Sequence, residues 1–262
     1  MSVVLVTGGA RGIGAAIAGR HVAAGDTVLV TDVDDDAGKR LGEQLAAEAR
    51  PDLVHYLHCD VTAEDEVRAA VAHAEQHLGP LDVVYANAGV VGVTGRIETH
   101  SLKEWRRTTD LLLTSVFLTV REAVAVMRPR GRGAIVCTAS VAGVRGGLGP
   151  HAYTAAKHGV VGLVESVAVE VARYGLRINA VAPGGAVSSL TAGLMTGDGD
   201  DLQVAYDRLA ATSASGVPTT SEDVADAAVF LGGPSSARIN GTTLVVDGGD
   251  YVPSQRGLSY YE

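Results

Sequence analysis

Ser2-Val3-Val4-Leu5-Val6-Thr7-Gly8-Gly9-Ala10-Arg11-Gly12-Ile13-Gly14 is a short β-branched apolar run that empties into glycines, and an alanine-rich stretch of helical character follows from Ala15 to Ala24. The pattern is strand, glycine turn, helix. Glycine is needed where a backbone turns sharply and comes close to a pyrophosphate, while the first turn of the next helix offers unpaired N–H groups and positive dipole. The spacing is Gly8-x-x-x-Gly12-x-Gly14 after a threonine, not the G-x-G-x-x-G common in dinucleotide folds. A second apolar run, 27–31, ends at Asp32, twenty positions after Gly12. An acid there suits the adenosine ribose hydroxyls and repels a 2′-phosphate, which favours NAD over NADP. Arg11 pulls the other way, since a cation in the glycine turn can meet that phosphate. Asp32 is given the greater weight, because Asp34, Asp35 and Asp36 make the neighbourhood strongly negative. Those three read as solvated turn acids capping the next helix.

Apolar runs recur at 3–6, 27–31, 53–57, 81–85, 134–138, 178–181 and 243–246, separated by segments of helical character. This alternation implies an α/β fold with a parallel sheet covered on both faces. No linker or composition break divides the 262 residues, so a single domain over 1–262 is expected. No signal peptide precedes the first strand and no apolar run reaches membrane-spanning length, so a soluble, cytoplasmic protein is expected. With a formal net charge of −9 and no basic stripe, nucleic acid and anionic membrane are poor partners. Cys59 and Cys137 fall in or at the ends of strands and read as inert core thiols. His55 and His58 lack companions at metal-ligand spacing; they read as strand-surface residues, and no metal site is expected.

Ser140 precedes His151-Ala152-Tyr153-Thr154-Ala155-Ala156-Lys157. Four residues make about one helical turn, so the Tyr153 hydroxyl and the Lys157 ammonium project from one face. A nearby cation favours phenolate; free tyrosine titrates near ~10, so a base working at neutrality needs roughly 3 units of depression, about 4 kcal/mol. A serine hydroxyl beside the phenol can donate to a substrate oxygen. Together these groups can move a proton on or off an alcohol oxygen while hydride leaves or arrives at the carbon.

With these regions in hand, the chain resembles the short-chain dehydrogenase/reductase family nearly from end to end. Thr7 to Gly14 looks like its Thr-Gly-x-x-x-Gly-x-Gly signature, and Cys59-Asp60-Val61-Thr62 is similar to the segment lining its adenine pocket. Ala86-Asn87-Ala88-Gly89 resembles its Asn-Asn-Ala-Gly motif with the first Asn replaced by alanine. Asn179 to Gly184, followed by Ser188, resembles the stretch that holds the nicotinamide carboxamide, and Leu244 to Gly249 resembles the terminal strand and turn. The resemblance implies a Rossmann-like doubly wound parallel sheet of about seven strands. It implies Ser140, Tyr153 and Lys157 as catalytic residues. For the cofactor it implies Gly8, Arg11, Gly12, Ile13, Gly14, Asp32, Val33, Asp60, Val61, Asn87, Ala88, Gly89, Tyr153, Lys157, Pro183, Gly184, Ala186 and Ser188. It further implies that helices over about 102–127 and 153–174, apolar on more than one face, pair across a two-fold axis in a homotetramer or homodimer.

One position departs from the family. Leu112 stands where the family carries an asparagine that supports a proton relay. A leucine keeps the main-chain carbonyl thought to hold the relay water but not the side-chain hydrogen bonds, so Thr114, Ser115 or another water are the alternatives. The family's substrate pocket corresponds here to 90–93, 141–148 and 190–209, the last reading as a lid within about 188–215, with glycine hinges and an apolar face. The stretch 151–163 is similar to the subgroup that oxidises cyclic secondary alcohols on terpenoid, lignan or steroid scaffolds. The leading expectation is therefore an NAD-dependent enzyme interconverting a hydrophobic, cyclic secondary alcohol and its ketone. A 3-oxoacyl thioester reductase and a sugar or polyol dehydrogenase are the alternatives. In another class, the alternative is a catalytically weak NAD-binding sensor or partner subunit.

Overall fold

Five consecutive buried residues in β1 (Val3–Thr7) and in β2 (Thr27–Asp32) suit strands covered on both faces, and the two pair in parallel with Val3 opposite Thr27. The computed structural model describes residues 1–48 and 50–251; residue 49 and residues 252–262, the end of the expected 1–262 domain, lie outside the described residues. The remaining sheet strands are β3 (Val54–His58), β4 (Leu81–Ala86), β5 (Gly133–Thr138), β6 (Leu176–Pro183) and, at the far edge, Thr243–Val246. The seven strands anticipated at the apolar runs are present. Helices α1 (Gly12–Ala23), α2 (Asp35–Glu48), α3 (Glu64–His73), α4 (Leu102–Thr109), α5 (Ser115–Met127) and α6 (His151–Val171) make the crossovers.

All sheet pairings are parallel, in the order β3-β2-β1-β4-β5-β6 and then the 243–246 strand. The chain runs one way from β1 to β3 and the other way from β4 onward. Between β1 and β4 the order reverses, and in open α/β sheets ligands bind beyond the strand C-termini at that point. The glycine turn after β1 and Asn87 after β4 both lie there.

Period-two alternation sends the strand side chains to two separate cores. Leu5, Leu29, Val84, Ile135 and Ile178 pack with Val116 and Val120 of α5 and with Val160 and Val164 of α6. Val4, Val6, Val28, Tyr85 and Val136 pack on the opposite face with Ile17 and Ala18 of α1. Each such fully buried aliphatic side chain contributes roughly 1.5–3 kcal/mol. Val224, Ala225 and Ala228 complete that second face from the helix Ser221–Gly232, whose first turn is closed by a reciprocal Thr220–Asp223 capping box.

Beyond β6 lies the region expected as a lid. It begins with β7 (Ala186–Val187), which pairs in parallel with β8 (Thr219–Thr220), a two-residue clip too short to show any periodicity. Between the clip's arms are α7 (Ser189–Thr196) and α8 (Leu202–Ala210), joined by the glycine-containing turn at 197–201. The final crossover helix, Ser221–Gly232, is α9, and the edge strand Thr243–Val246 is β9. No helix among the described residues is long and apolar enough to cross a membrane.

Candidate active site

The glycine turn is shaped by close backbone contacts. Gly8 has φ +60°, and a methyl group placed on it would come within 2.5 Å of Ala88 Cα. A methyl on Gly14 would lie 2.2 Å from the Gly8 carbonyl oxygen. Gly12, at φ +51°, is different: a methyl there would meet only Ser188 Cβ at 3.6 Å and Ser221 Oγ at 3.9 Å, so this side of the turn has room. Helix α1 starts here with no side-chain cap and no acid in its first turn, leaving its N–H groups available to an anion. These features fit the pyrophosphate of a dinucleotide.

Asn87 braces the turn. Its amide nitrogen donates to the carbonyls of Thr7 (3.2 Å) and Gly8 (3.0 Å), and its amide oxygen accepts from Thr138 Oγ1 at 3.0 Å. Its side chain thus clamps the ends of β1 and β5 together. On the other side, the Asp32 carboxylate accepts from the main-chain N–H of Ala10 and of Asp34, each at 3.1 Å. Each oxygen keeps a lone pair for a ribose hydroxyl. Val33 is 58 % exposed beside it, and Asp60 is fixed by Thr62, whose N–H and hydroxyl both donate to Asp60 Oδ1. Asp34 accepts from the Ala37 N–H at 2.9 Å, the helix-capping role the sequence suggested. His58 and Tyr56 both reach the carboxylate of exposed Asp35, and His55 reaches only the Asp52 carbonyl. No group of three or more His, Cys, Asp or Glu among the described residues is arranged to hold a metal.

Ser140, Tyr153 and Lys157 come together where β5 ends. Ser140 caps the short turn Val141–Gly143, its Oγ accepting from the Ala142 N–H at 3.1 Å, which leaves its proton to donate. Lys157 is only 3 % exposed, with Nζ 2.6 Å from the Thr138 carbonyl and 5.6 Å from the Tyr153 ring centroid. Burial pushes its pKa down to about 8. Burial also pushes the Tyr153 phenol above its ordinary value, a hydrogen bond from Ser140 acting in the opposite sense. The sequence reading had the lysine depressing the phenol. In the structure the net displacement is upward, because loss of water outweighs the hydrogen bond from Ser140. Thr138, whose carbonyl and hydroxyl hold Lys157 and Asn87, was missed by sequence reasoning; a threonine ending a strand carries no signal that distinguishes this use.

At the departure from the family pattern, α4 passes into α5 through a π-helical turn over Asp110–Thr114. Leu112 is fully buried in it, and a methyl on Gly89 would lie 3.4 Å from Leu112 Cδ2 and 3.9 Å from Lys157 Nζ. A π turn shifts the hydrogen-bond ladder by one residue and loosens a carbonyl from it. Both side-chain alternatives are engaged locally. Thr114 is exposed and donates to Asp110, and the Ser115 hydroxyl donates to the Leu111 carbonyl.

Above the site, Pro183 is buried, Gly184 packs against Asp247, and Ala186 is buried in β7. Ser188 caps α7, accepting from the Thr191 N–H. Leu194 is 61 % exposed on α7, and Leu190 and Tyr206 are exposed with it. Most of the Leu194 side chain is therefore left uncovered. Burial pushes the thiols of Cys137 and Cys59 up to about 12, so both are inert, as expected.

Comparison with known proteins agrees with this geometry. A family described as enoyl-(acyl carrier protein) reductase matches residues 8–250. Momilactone A synthase of Oryza sativa subsp. japonica is 39 % identical over 248 residues, covering 94 % of this chain and 89 % of that one. (+)-Borneol dehydrogenase 2 of Salvia officinalis is also 39 % identical, over 253 residues, covering 94 % and 88 %. The crystal structure of levodione reductase superposes with a TM-score of 0.89 at 33 % identity, covering 97 % of this chain and 98 % of that chain.

Proposed function

This chain belongs to the short-chain dehydrogenase/reductase family of nicotinamide-dependent oxidoreductases, and we propose that it uses NAD to interconvert a hydrophobic, cyclic secondary alcohol and its ketone. The observation that carries the reading is the meeting of Ser140, Tyr153 and the buried Lys157 below a lid with exposed apolar side chains. The oxidised nicotinamide ring, when bound, supplies the hydride acceptor. The protein's part is the proton. Ser140 donates to the substrate oxygen and holds it beside the Tyr153 hydroxyl. Tyr153 takes the alcohol proton as the C–H pair departs as hydride, leaving C=O; in the reverse direction it gives the proton back. Lys157, anchored on the Thr138 carbonyl, keeps a cation beside the phenolate form of Tyr153 that accepts this proton. The pairing of Asp32 with the N–H groups of Ala10 and Asp34 supports NAD, because a 2′-phosphate would meet a fixed carboxylate. The relatives named for borneol and levodione support a cyclic substrate.

The test is a cofactor-reduction screen of pure protein with NAD against cyclic terpenoid and steroid alcohols, linear 3-hydroxyacyl thioesters and polyols. Turnover confined to the cyclic alcohols is expected. Preference for thioesters or polyols replaces the substrate reading, and NAD binding without turnover across the whole panel favours a sensor or partner subunit.

A further inference from the structure

Arg11 lies in the glycine turn, yet it is not a free cation. Its Nη2 is 2.8 Å from Asp34 Oδ2, and both side chains are partly open to solvent. Asp34 is held in place three ways: its other oxygen takes the Ala37 N–H at the start of α2, its own N–H binds Asp32, and its carboxylate binds Arg11. Beside this pair an open cavity of about 240 Å³ lies between α1 and α2, lined by Arg11, Arg40, Ala15 and Ala37 among others. Arg40 acts electrostatically on Asp34 as well. The site therefore has the ingredients of an anion subsite: two arginines and a helix N-terminal N–H, next to the acid that suits the ribose hydroxyls. The protein's own carboxylate is seated in it.

We propose that Asp34 is a built-in stand-in for a 2′-phosphate: by occupying Arg11 and the first turn of α2 it closes a latent NADP subsite, so cofactor choice depends on Asp34 as well as on Asp32. The proposal rests on the dinucleotide-binding reading above. It assigns Asp34 a selective role beyond capping α2. Removing only the charge frees Arg11 toward the cavity, where an Arg–phosphate pair is geometrically specific and stronger than the exposed carboxylate pair it replaces.

Serine caps helices as well as aspartate does, so Asp34→Ser deletes the charge and keeps the cap. Calorimetric titration with NAD+ and NADP+ needs no turnover and is independent of the substrate. Asp34→Ser should tighten NADP+ by about tenfold or more while NAD+ changes by less than about threefold. In Asp34→Ser combined with Arg11→Ala the gain in NADP+ should vanish. An unchanged NADP+ to NAD+ ratio in Asp34→Ser, or an equal gain without Arg11, overturns the proposal. Should Asp34→Ser not fold, Asp34→Asn, another good cap, carries the same comparison. Wild-type protein that binds neither dinucleotide removes the reading beneath the proposal and the proposal with it, whereas binding without turnover leaves the Asp34 comparison intact.

Discussion

Tyr153 and Lys157 pose an electrostatic problem that their positions solve only in part. The phenol lies above its ordinary pKa and the lysine is lowered to about 8, both through loss of water. The lysine therefore gives up its proton near about 8, while the phenol holds its own above the ordinary value. For alcohol oxidation the pair must be able to accept a proton. We therefore expect kcat/KM for oxidation to rise with pH through about 8 and level above it, and kcat/KM for ketone reduction to fall over the same range. A flat oxidation profile between about pH 6.5 and 9.5 would contradict this. Stability follows the same sign: the unfolded chain holds the Lys157 proton up to its ordinary value of 10.5, so burial of the lysine costs most below about pH 8 and the cost is relieved as pH rises between the two. Replacing the base itself is a sharper test. Tyr153→Phe keeps the ring and removes the titrating oxygen, so NAD should still bind while turnover drops by ~10²–10⁴-fold. A variant retaining more than about a tenth of the rate would mean that another group moves the proton.

The element that tests the chemistry is the π turn between α4 and α5. It shifts the main-chain ladder around position 112, where the family's relay residue is expected, and it does so with leucine there. Leu112→Asn should therefore alter kcat only modestly, because the acceptor belongs to the backbone. A rise of tenfold or more, about 1.4 kcal/mol in the barrier, would show that the missing amide limits the enzyme. Because Leu112 is fully buried, an unpaired amide there costs about 1–3 kcal/mol of stability. Thermal unfolding of the variant separates that loss from a loss of catalysis. How far such elements can be foreseen depends on how local their causes are. The strands were legible, since buried parallel strands must be continuous apolar runs, and so were the long helical stretches over about 102–127 and 153–174. Ser140, Tyr153, Lys157 and Asp32 were legible through spacing. The β7–β8 clip, the Thr138 anchor and the π turn were not. Two-residue strands lack a periodicity, a carbonyl acceptor has no residue type, and a π turn is one extra residue within an unbroken helical pattern. The Arg11–Asp34 pair was half legible: both charges were noted, but that they neutralise each other depends on how the turns after β1 and β2 meet.

For the whole molecule, the sheet order puts α5 and α6 side by side over one face, and burial on that face is lopsided. Val160, Val164 and Val171 of α6 are inside, filling the core against β5 and β6, while Val161, Leu163 and Val167 are only half covered. Val169 is 81 % exposed on α6 and Phe117 is 45 % exposed on α5. A helix apolar on more than one side is satisfied only when something covers its second side. Here the covering surface is expected to be a second copy of the chain, because a two-fold axis lets the same pair of helices bury itself isologously. A stable contact of this kind buries about 1,200–2,000 Å², which two adjacent helices of 13 and 21 residues can supply. Light scattering at micromolar concentration should thus report a dimer or tetramer. Phe117→Asp with Val169→Asp should lower the assembly by at least one dimerisation step while leaving the fold intact, because neither side chain belongs to the core. A wild-type monomer would refute the expectation outright. An undiminished assembly in the double variant would move the interface to another face, and NAD affinity that survives dissociation would show that each protomer's glycine turn and Asp32 suffice for the cofactor.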